Sequence, residues 1–266
     1  SSPYAKLGDA FRTKWRDKLS YLEVLENTRI PIVKFTHKES KLSADISINQ
    51  PSGPIAAELM KRFLDAMPPL KPLTFVLKYF IAARGLNEPY SGGIGSYMLQ
   101  LMIVSFLQHR ERELYNKNQG CEMNLGSLLL DFFELYGVDF NYALTGISVR
   151  SDGHYFSKGE KGRSEYFWQP ARPQSLAMEN PLDPSMDVGK VSFRISLIQK
   201  SFDVAFHILL AHLSEPAVET TSILEKIIPP TEEMEKRAVI VSGIDIKEIN
   251  KLKRPVDHYD NTDLSC

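Results

Sequence analysis

The chain has 266 residues, of which 43% are hydrophobic, enough to bury one large core or two modest ones and too many for a disordered chain. Lys and Arg number 32 against 33 for Asp and Glu, so the formal net charge of −1 gives no chain-wide attraction to polyanions, and any nucleic-acid contact has to come from a local basic surface. Two cysteines, Cys121 and Cys266, make no disulfide framework, no apolar run is long enough to span a bilayer, and the N-terminus shows no signal-peptide pattern, so a soluble protein of the nucleus or cytoplasm is expected.

Leu7, Ala10, Phe11 and Trp15 fall at helical spacing and predict a short amphipathic helix at the start. Strands follow over 21–26, 30–36 and 42–49. The third alternates, with Leu42, Ala44, Ile46 and Ile48 on one face and Ser43, Asp45, Ser47 and Asn49 on the other, the pattern of a half-covered sheet. After Asn49 the period changes to that of a helix. Ser52 is placed to cap it, Pro54 suits a first turn, and Ile55, Leu59, Met60, Phe63 and Met67 form its apolar stripe until Pro68-Pro69 stops it. A second helix is predicted over 72–84. A loop with Pro89 and Gly92-Gly93 then leads into 96–108, which is apolar on nearly every side and predicts a central, buried helix. Asn116 and Asn118 mark a polar loop. Leu125, Leu128, Leu129, Phe132, Leu135 and Tyr136 make another stripe, with Gly137 placed to end that helix. A hairpin over 147–158 turns at Ser151-Asp152-Gly153, and a proline-bearing loop covers 180–190. Ile195, Ile198, Phe202, Ala205, Phe206, Leu209 and Leu213 predict a long helix, and beyond Pro229 a charged, weakly patterned stretch predicts a peripheral helix and a loose tail.

A β-rich opening followed by a mostly helical body predicts an α+β fold in which a sheet unit and a helical unit share a cleft. The expected boundaries are 1–50, 51–230 and a polar tail at 231–266. Phosphate-loop, nucleophile-elbow and zinc-protease motifs are all missing from the sequence. Gly93-Ile94-Gly95 lacks the third glycine of a dinucleotide fingerprint, and His207 and His212, five apart on one helix, face different ways, which argues against a zinc site.

Five stretches, in order, carry a resemblance: Lys41-Leu-Ser-Ala-Asp45-Ile-Ser-Ile-Asn49, Val76-Leu-Lys78-Tyr-Phe, Ser91-Gly-Gly-Ile-Gly-Ser96-Tyr97, Asn124-Leu-Gly-Ser-Leu-Leu-Leu-Asp-Phe-Phe-Glu-Leu-Tyr-Gly137 and Glu179-Asn-Pro-Leu-Asp-Pro-Ser-Met-Asp-Val-Gly189. Together they resemble the noncanonical poly(A) polymerases of the TRAMP-complex type, members of the DNA polymerase β-like nucleotidyltransferases. The resemblance implies a palm-like sheet domain in the first boundary and a helical, PAP-associated central domain in the second. It implies template-independent transfer of AMP from ATP to an RNA 3′ end, in RNA processing and decay, with two Mg2+ (or Mn2+) ions. It further implies a zinc-knuckle RNA-binding partner, no membrane, and a location in the nucleus or also the cytoplasm. Carboxylates suit such chemistry because hard oxygen ligands hold magnesium, one ion activating the attacking hydroxyl and the other steadying the leaving pyrophosphate.

From its residues alone Asp45 reads more readily as a solvated aspartate on an exposed sheet face; the resemblance reverses that preference and makes it the third aspartate of the catalytic triad and a metal ligand. Lys78 is implied to contact the triphosphate, against a lysine snorkelling from a packed helix. Ser96 is implied to bind phosphate and Tyr97 to stack on the base, against a helix cap followed by a core tyrosine. Asp187 lies in the stretch resembling the base-recognition motif, where an acceptor-only carboxylate suits the exocyclic amine of adenine.

The sequence departs from the family at three places. There is no Asp-x-Asp, and Gly95-Ser96 and Gly126-Ser127 run into helices with no paired aspartates behind them. Met186 stands where relatives often carry an amide. The expectation is that a segment upstream of Ser1 carries the first two aspartates, and that these 266 residues alone do not extend an RNA primer. The rival readings are a non-catalytic nucleotide- or protein-binding module of the same fold and a uridylyl-adding relative.

Overall fold

The computed structural model describes residues 2–28, 30–116, 124–160, 167–214 and 223–228. Asn118, both cysteines and the expected tail lie outside these residues. The chain forms two compact units, one containing 2–54 and the other Ile55–Pro229.

In the first unit, helix α1 (Pro3–Lys14) starts at Ser2, whose hydroxyl accepts from the Ala5 amide at 3.1 Å, with Pro3 in the first turn where no amide is needed. Strands β1 (Leu19–Leu25), β2 (Ile32–His37) and β3 (Ser43–Ile46) make an antiparallel sheet in that order. Phe11 of α1 and Trp15, which caps its C-terminal end, pack on Phe35 with ring centroids 5.0 and 6.4 Å apart, and Gly8 lets the helix approach so closely that a Cβ there would lie 2.6 Å from Val24. The register puts Tyr21, Thr36 and Ser43 in one cross-strand row and Glu23, Lys34 and Asp45 in the next, on the sheet face opposite Val24, Val33 and Phe35. The Tyr4 hydroxyl accepts from the Ile48 amide at 3.0 Å and donates to the Ile48 carbonyl at 2.9 Å, fixing the chain beyond β3.

The third strand is shorter than the alternation predicts, and Leu42 and Ala44, on the face expected to be covered, are exposed. Among the described residues β3 is the sheet edge, and α1 lies over β1 and β2, so the apolar face is covered only as far as Phe35.

Helix α2 (Ser52–Ala66) ends before Pro68-Pro69 and turns Met60, Phe63 and Leu64 to the core of the second unit, while Ile55 stays exposed. Helix α3 (Leu70–Ala82) begins two residues before the predicted start, because Pro72 falls in the first turn and costs no hydrogen bond there. It buries Leu73, Leu77, Phe80 and Ile81. Helix α4 (Ser96–Asn116) is central and buried as predicted, from Met98 to Leu107, and continues past the expected end into the stretch read as a polar loop. Helix α5 (Leu125–Glu134) is capped by Asn124, whose Oδ1 accepts from the Gly126 and Ser127 amides at 2.8 and 3.2 Å. Helix α6 (Ile195–Leu213) buries the predicted stripe apart from Leu213.

Gly137 does not stop α5 in a left-handed conformation. It lies inside a π-helical turn, Leu135–Asp139, without positive φ. The reason for a glycine is tertiary: a Cβ there would stand 2.5 Å from the Asp203 amide nitrogen of α6. This approach brings Phe202 into a ring cluster in which Phe80–Phe133 and Phe133–Phe202 centroids are 5.0 and 5.6 Å apart.

The helical unit also holds a four-stranded sheet, β5-β4-β6-β7, from β4 (Thr145–Ser148), β5 (His154–Ser157), β6 (Ala177–Asn180) and β7 (Asp183–Asp187). The predicted 147–158 hairpin is present, with Ser151 and Gly153 at φ 55° and 74° in its turn. Strands β4 and β6 are parallel. The stretch predicted as a loop over 180–190 instead forms most of the antiparallel β6–β7 hairpin and a short 3₁₀ turn, Gly189–Val191. Pro184 is tolerated because β7 is an edge strand among the described residues.

Replacing Gly137 with Ala should force α5 and α6 apart and lower stability by about 1–3 kcal/mol. Urea unfolding should show a lower midpoint with an unchanged slope; an unchanged midpoint would show that the helices separate without strain.

Candidate functional site

The loop before α4 is folded back on the end of α3. The Ile94 amide donates to the Leu86 carbonyl at 2.8 Å, and a Cβ on Gly93 would lie 2.2 Å from that same oxygen, so only glycine allows the approach. The loop delivers Ser96 as the first residue of α4, exposed, with Tyr97 half-buried behind it. The Tyr97 ring packs against the core while its hydroxyl donates to Asn180 Oδ1 at 3.2 Å. Burial raises its pKa, which keeps it a neutral donor. Asn180 Oδ1 also accepts from the Leu182 amide at 3.1 Å, and its Nδ2 donates to Met186 Sδ at 3.6 Å. A chain of bonds therefore ties the start of α4 to the β6–β7 hairpin.

Asp187 closes that hairpin from within. Its Oδ1 accepts from the amides of Met178 and Gly189 at 2.9 and 2.8 Å. Loss of hydration pushes its pKa up to about 6, with the amides of Met178 and Gly189, the charge of Lys158 and the amide of Lys190 pulling the other way. Oδ2 is buried and has no hydrogen-bond partner among the described residues. The carboxylate expected to face a base thus commits one oxygen to the backbone and keeps one as an acceptor. Lys158 is 2% exposed, and its ammonium donates to the carbonyls of Tyr142, Pro173 and Ser175 at 2.5, 2.9 and 2.5 Å. Burial lowers its pKa to about 8, opposed by Asp187.

Ser96, Tyr97 and Asp187 are brought into one region of the second unit by the bonds of Tyr97, Asn180 and the β6–β7 hairpin. Lys78 is exposed on the outer stripe of α3 with Lys71 and Phe75, away from Leu77 and Ile81. Asp45 is in the first unit, exposed on the polar sheet face, with Lys34 beside it and Glu23 beyond. Among the described residues no three His, Cys, Asp or Glu side chains converge as a metal site. Asp45 can supply one oxygen ligand, but the described residues do not by themselves fit a two-metal centre.

Asn180, Glu179 and Lys158 were not singled out by the sequence. Asn180-Pro181 is a turn signal, but nothing in it points to Tyr97. Glu179, 4% exposed and 3.7 Å from Arg150, is a charge in a short strand, and Lys158 follows the end of β5, where pattern gives no warning of burial.

These units have the nucleotidyltransferase fold with a PAP-associated helical domain. The structure matches the solved polymerase core of TRAMP, an RNA surveillance complex, with a TM-score of 0.74 and 31% identity over 86% of this chain and 72% of that one. Residues 124–186 match the family model of Cid1 family poly A polymerases. The poly(A) RNA polymerase CID14 of Cryptococcus neoformans is 38% identical over 215 residues, 81% of this chain and 27% of its own length. The inactive noncanonical poly(A) RNA polymerase protein Trf4-2 of Drosophila melanogaster is 36% identical over 187 residues, 69% of this chain and 44% of its own length. The chain belongs to the noncanonical poly(A) polymerases of the TRAMP type. It spans less than half the length of either of these curated relatives.

A carboxyl whose folded pKa is raised binds its proton more tightly when folded, so Asp187 contributes most stability below the unfolded carboxylate range and loses that contribution as pH rises through about 6. The stability difference between wild type and Asp187→Asn should therefore shift against the wild type by up to about 3 kcal/mol between about pH 4 and pH 7. Thermal unfolding of both proteins across that window measures it, and parallel curves would show that Asp187 titrates normally.

Proposed function

We propose that the full-length protein adds AMP from ATP to RNA 3′ ends, and that Ser96, Tyr97 and the β6–β7 hairpin hold the incoming nucleotide. The observation that carries this reading is the Tyr97–Asn180–Met186 chain of bonds, which fixes an aromatic edge, a helix N-terminus and a hairpin as one surface. The exposed Ser96 hydroxyl and the start of α4 suit a phosphate, since a long helix carries partial positive charge at that end. Tyr97 offers a ring for the base. Lys78 adds a point charge toward the triphosphate. Asp187 is an acceptor of the kind that suits the exocyclic amine of adenine, and because its unbonded Oδ2 is buried, a base reaches it only when the hairpin shifts. By family resemblance Asp45 is one carboxylate of a magnesium or manganese site, and a zinc-knuckle RNA-binding protein is the partner.

A second reading is a nucleotide-binding module without catalysis. It is favoured by the inactive relative Trf4-2 and by the single candidate metal carboxylate among the described residues. Primer extension by the full-length protein separates the two. Extension that Asp45→Ala abolishes, with ATP binding retained, supports the enzyme; ATP binding with no extension supports the module.

Tyr97→Ala should weaken ATP binding by about 1–3 kcal/mol, the usual worth of base–aromatic stacking, while Tyr97→Phe should keep most of it. Fluorescent-nucleotide titration of the full-length protein, with UTP as competitor, provides the readout. Unchanged ATP affinity in Tyr97→Ala would remove this residue from the nucleotide site.

A further inference from the structure

Tyr90 stands on the loop between α3 and α4 and is 99% exposed, the most exposed of the large apolar side chains among the described residues. Two residues on, Gly92 is overlain by Phe193: a Cβ on this glycine would lie 2.4 Å from the ring. The Arg194 amide donates to the Gly92 carbonyl at 3.0 Å, so the loop and the start of α6 form one surface. Phe193 is itself 49% exposed, and the Arg172 guanidinium lies 5.3 Å from its ring centroid. Arg194 also borders a hollow of about 380 Å3 that Arg84 and Lys200 line as well, with no carboxylate among its described lining residues. Glu88, an acid on the same loop, is exposed and accepts from Asn87 at 3.4 Å.

We infer that this surface is a binding site for single-stranded RNA, in which bases stack on Tyr90 and Phe193 and phosphates follow Arg172, Arg194 and the hollow beyond. Exposed rings beside cations are the chemistry of single-strand binding: every base has a face to stack, and cations track the backbone. A duplex, with its bases already stacked, offers no face to Tyr90. A neutral chain needs a local basic surface to hold RNA, and this one combines cations with accessible rings. The loop that carries Tyr90 is the same loop that delivers Ser96 and Tyr97, so a strand held here passes close to the proposed nucleotide site. The inference rests on RNA being the substrate, but its test does not require transfer.

Binding of a short labelled oligoadenylate to the full-length protein, without ATP and with metal chelated, is measured by anisotropy. Tyr90→Ala should lower affinity at least about fivefold and Tyr90→Phe should leave it unchanged. Because Tyr90 is so exposed, neither variant should shift the melting temperature. Arg172→Gln with Arg194→Gln should reduce the slope of log affinity against log salt by about 1.4, some 0.7 for each phosphate no longer neutralised. Equal weakening with duplex RNA, unchanged oligoadenylate affinity in Tyr90→Ala, or an unchanged salt slope would each overturn the site, and unchanged affinity is also the outcome if the surface serves a protein partner. A Tyr90 effect in a protein that never extends a primer leaves this site standing and removes the adenylyltransferase. Primer extension with RNA binding indifferent to Tyr90 does the reverse.

Discussion

At Gly137 the backbone of the π-helical turn meets the backbone of α6 with no side chain between them. Much of the helical unit follows from that approach. It sets Phe202 beside Phe133 and Phe80, and Phe132 joins the cluster edge-on at 5.6 Å from Phe202. The next layer is α4, held against the cluster by Phe106, 5.7 Å from Phe132, and by the Tyr136 hydroxyl, which donates to the Met102 carbonyl at 3.0 Å. A buried helix packed on several sides has little freedom to slide or rotate, because interiors are as dense as organic crystals. Its first residues inherit that rigidity. Ser96 and Tyr97 are positioned by packing that begins far away in sequence, and α6 also returns to hold the glycine loop through Arg194.

The hairpin opposite Tyr97 is fixed by different physics. Asp187 and Lys158 are ionisable groups taken out of water, which is unfavourable for each alone. Each is stabilised mainly by backbone: amides for the carboxylate, three carbonyls for the ammonium. Their mutual field then reduces both pKa shifts. Backbone groups cannot move away as a solvent-facing partner could, so the arrangement fixes the chain at Met178, Ser175 and Gly189 together. That matters for Asn180 and Met186, which sit between these fixed points and tie the hairpin to the tyrosine. Short strands alone would leave them loose.

How far the sequence foretold this depends on the length of each pattern. The α6 stripe runs over nineteen residues, where a period of 3.6 is unmistakable, and the apolar run of α4 is too long for a strand. β6 has four residues, three of them buried, so it has no alternation to read. Gly137 was legible as a special position, but a helix end and a helix crossing ask for the same residue, and only the fold shows which applies. Leu42 and Ala44 misled for a related reason: alternation tells which residues share a face, not whether anything covers it. Among the candidate residues, the place of Ser96 and Tyr97 at the start of a buried helix was legible from the glycines before them, while their link to a nucleotide rests on the family resemblance. Asp187 was singled out by the resemblance alone, and its bonds to Met178 and Gly189 depend on a hairpin that the prolines disguised as a loop. Lys158 carried no signal, because a lysine at a strand end is ordinarily solvated.

Tyr97 is where the packed helix and the bonded hairpin meet. One edge of its ring is in the core and the hydroxyl is bonded to the hairpin, so neither rotation nor withdrawal is free. A residue with both ends held offers a ligand a surface already in place, and little ordering remains to be done on binding. Tyr90, a few residues earlier on the same chain, is the opposite case. It has no packing to preserve and is 99% exposed. A ring of that kind is free to turn, while the Tyr97 ring behind it is held in one place. The glycine loop joins the two because Gly92 and Gly93 pass against Phe193 and the Leu86 carbonyl with no room for side chains. The same close passage that anchors the held tyrosine therefore sets the exposed one at the surface beside it.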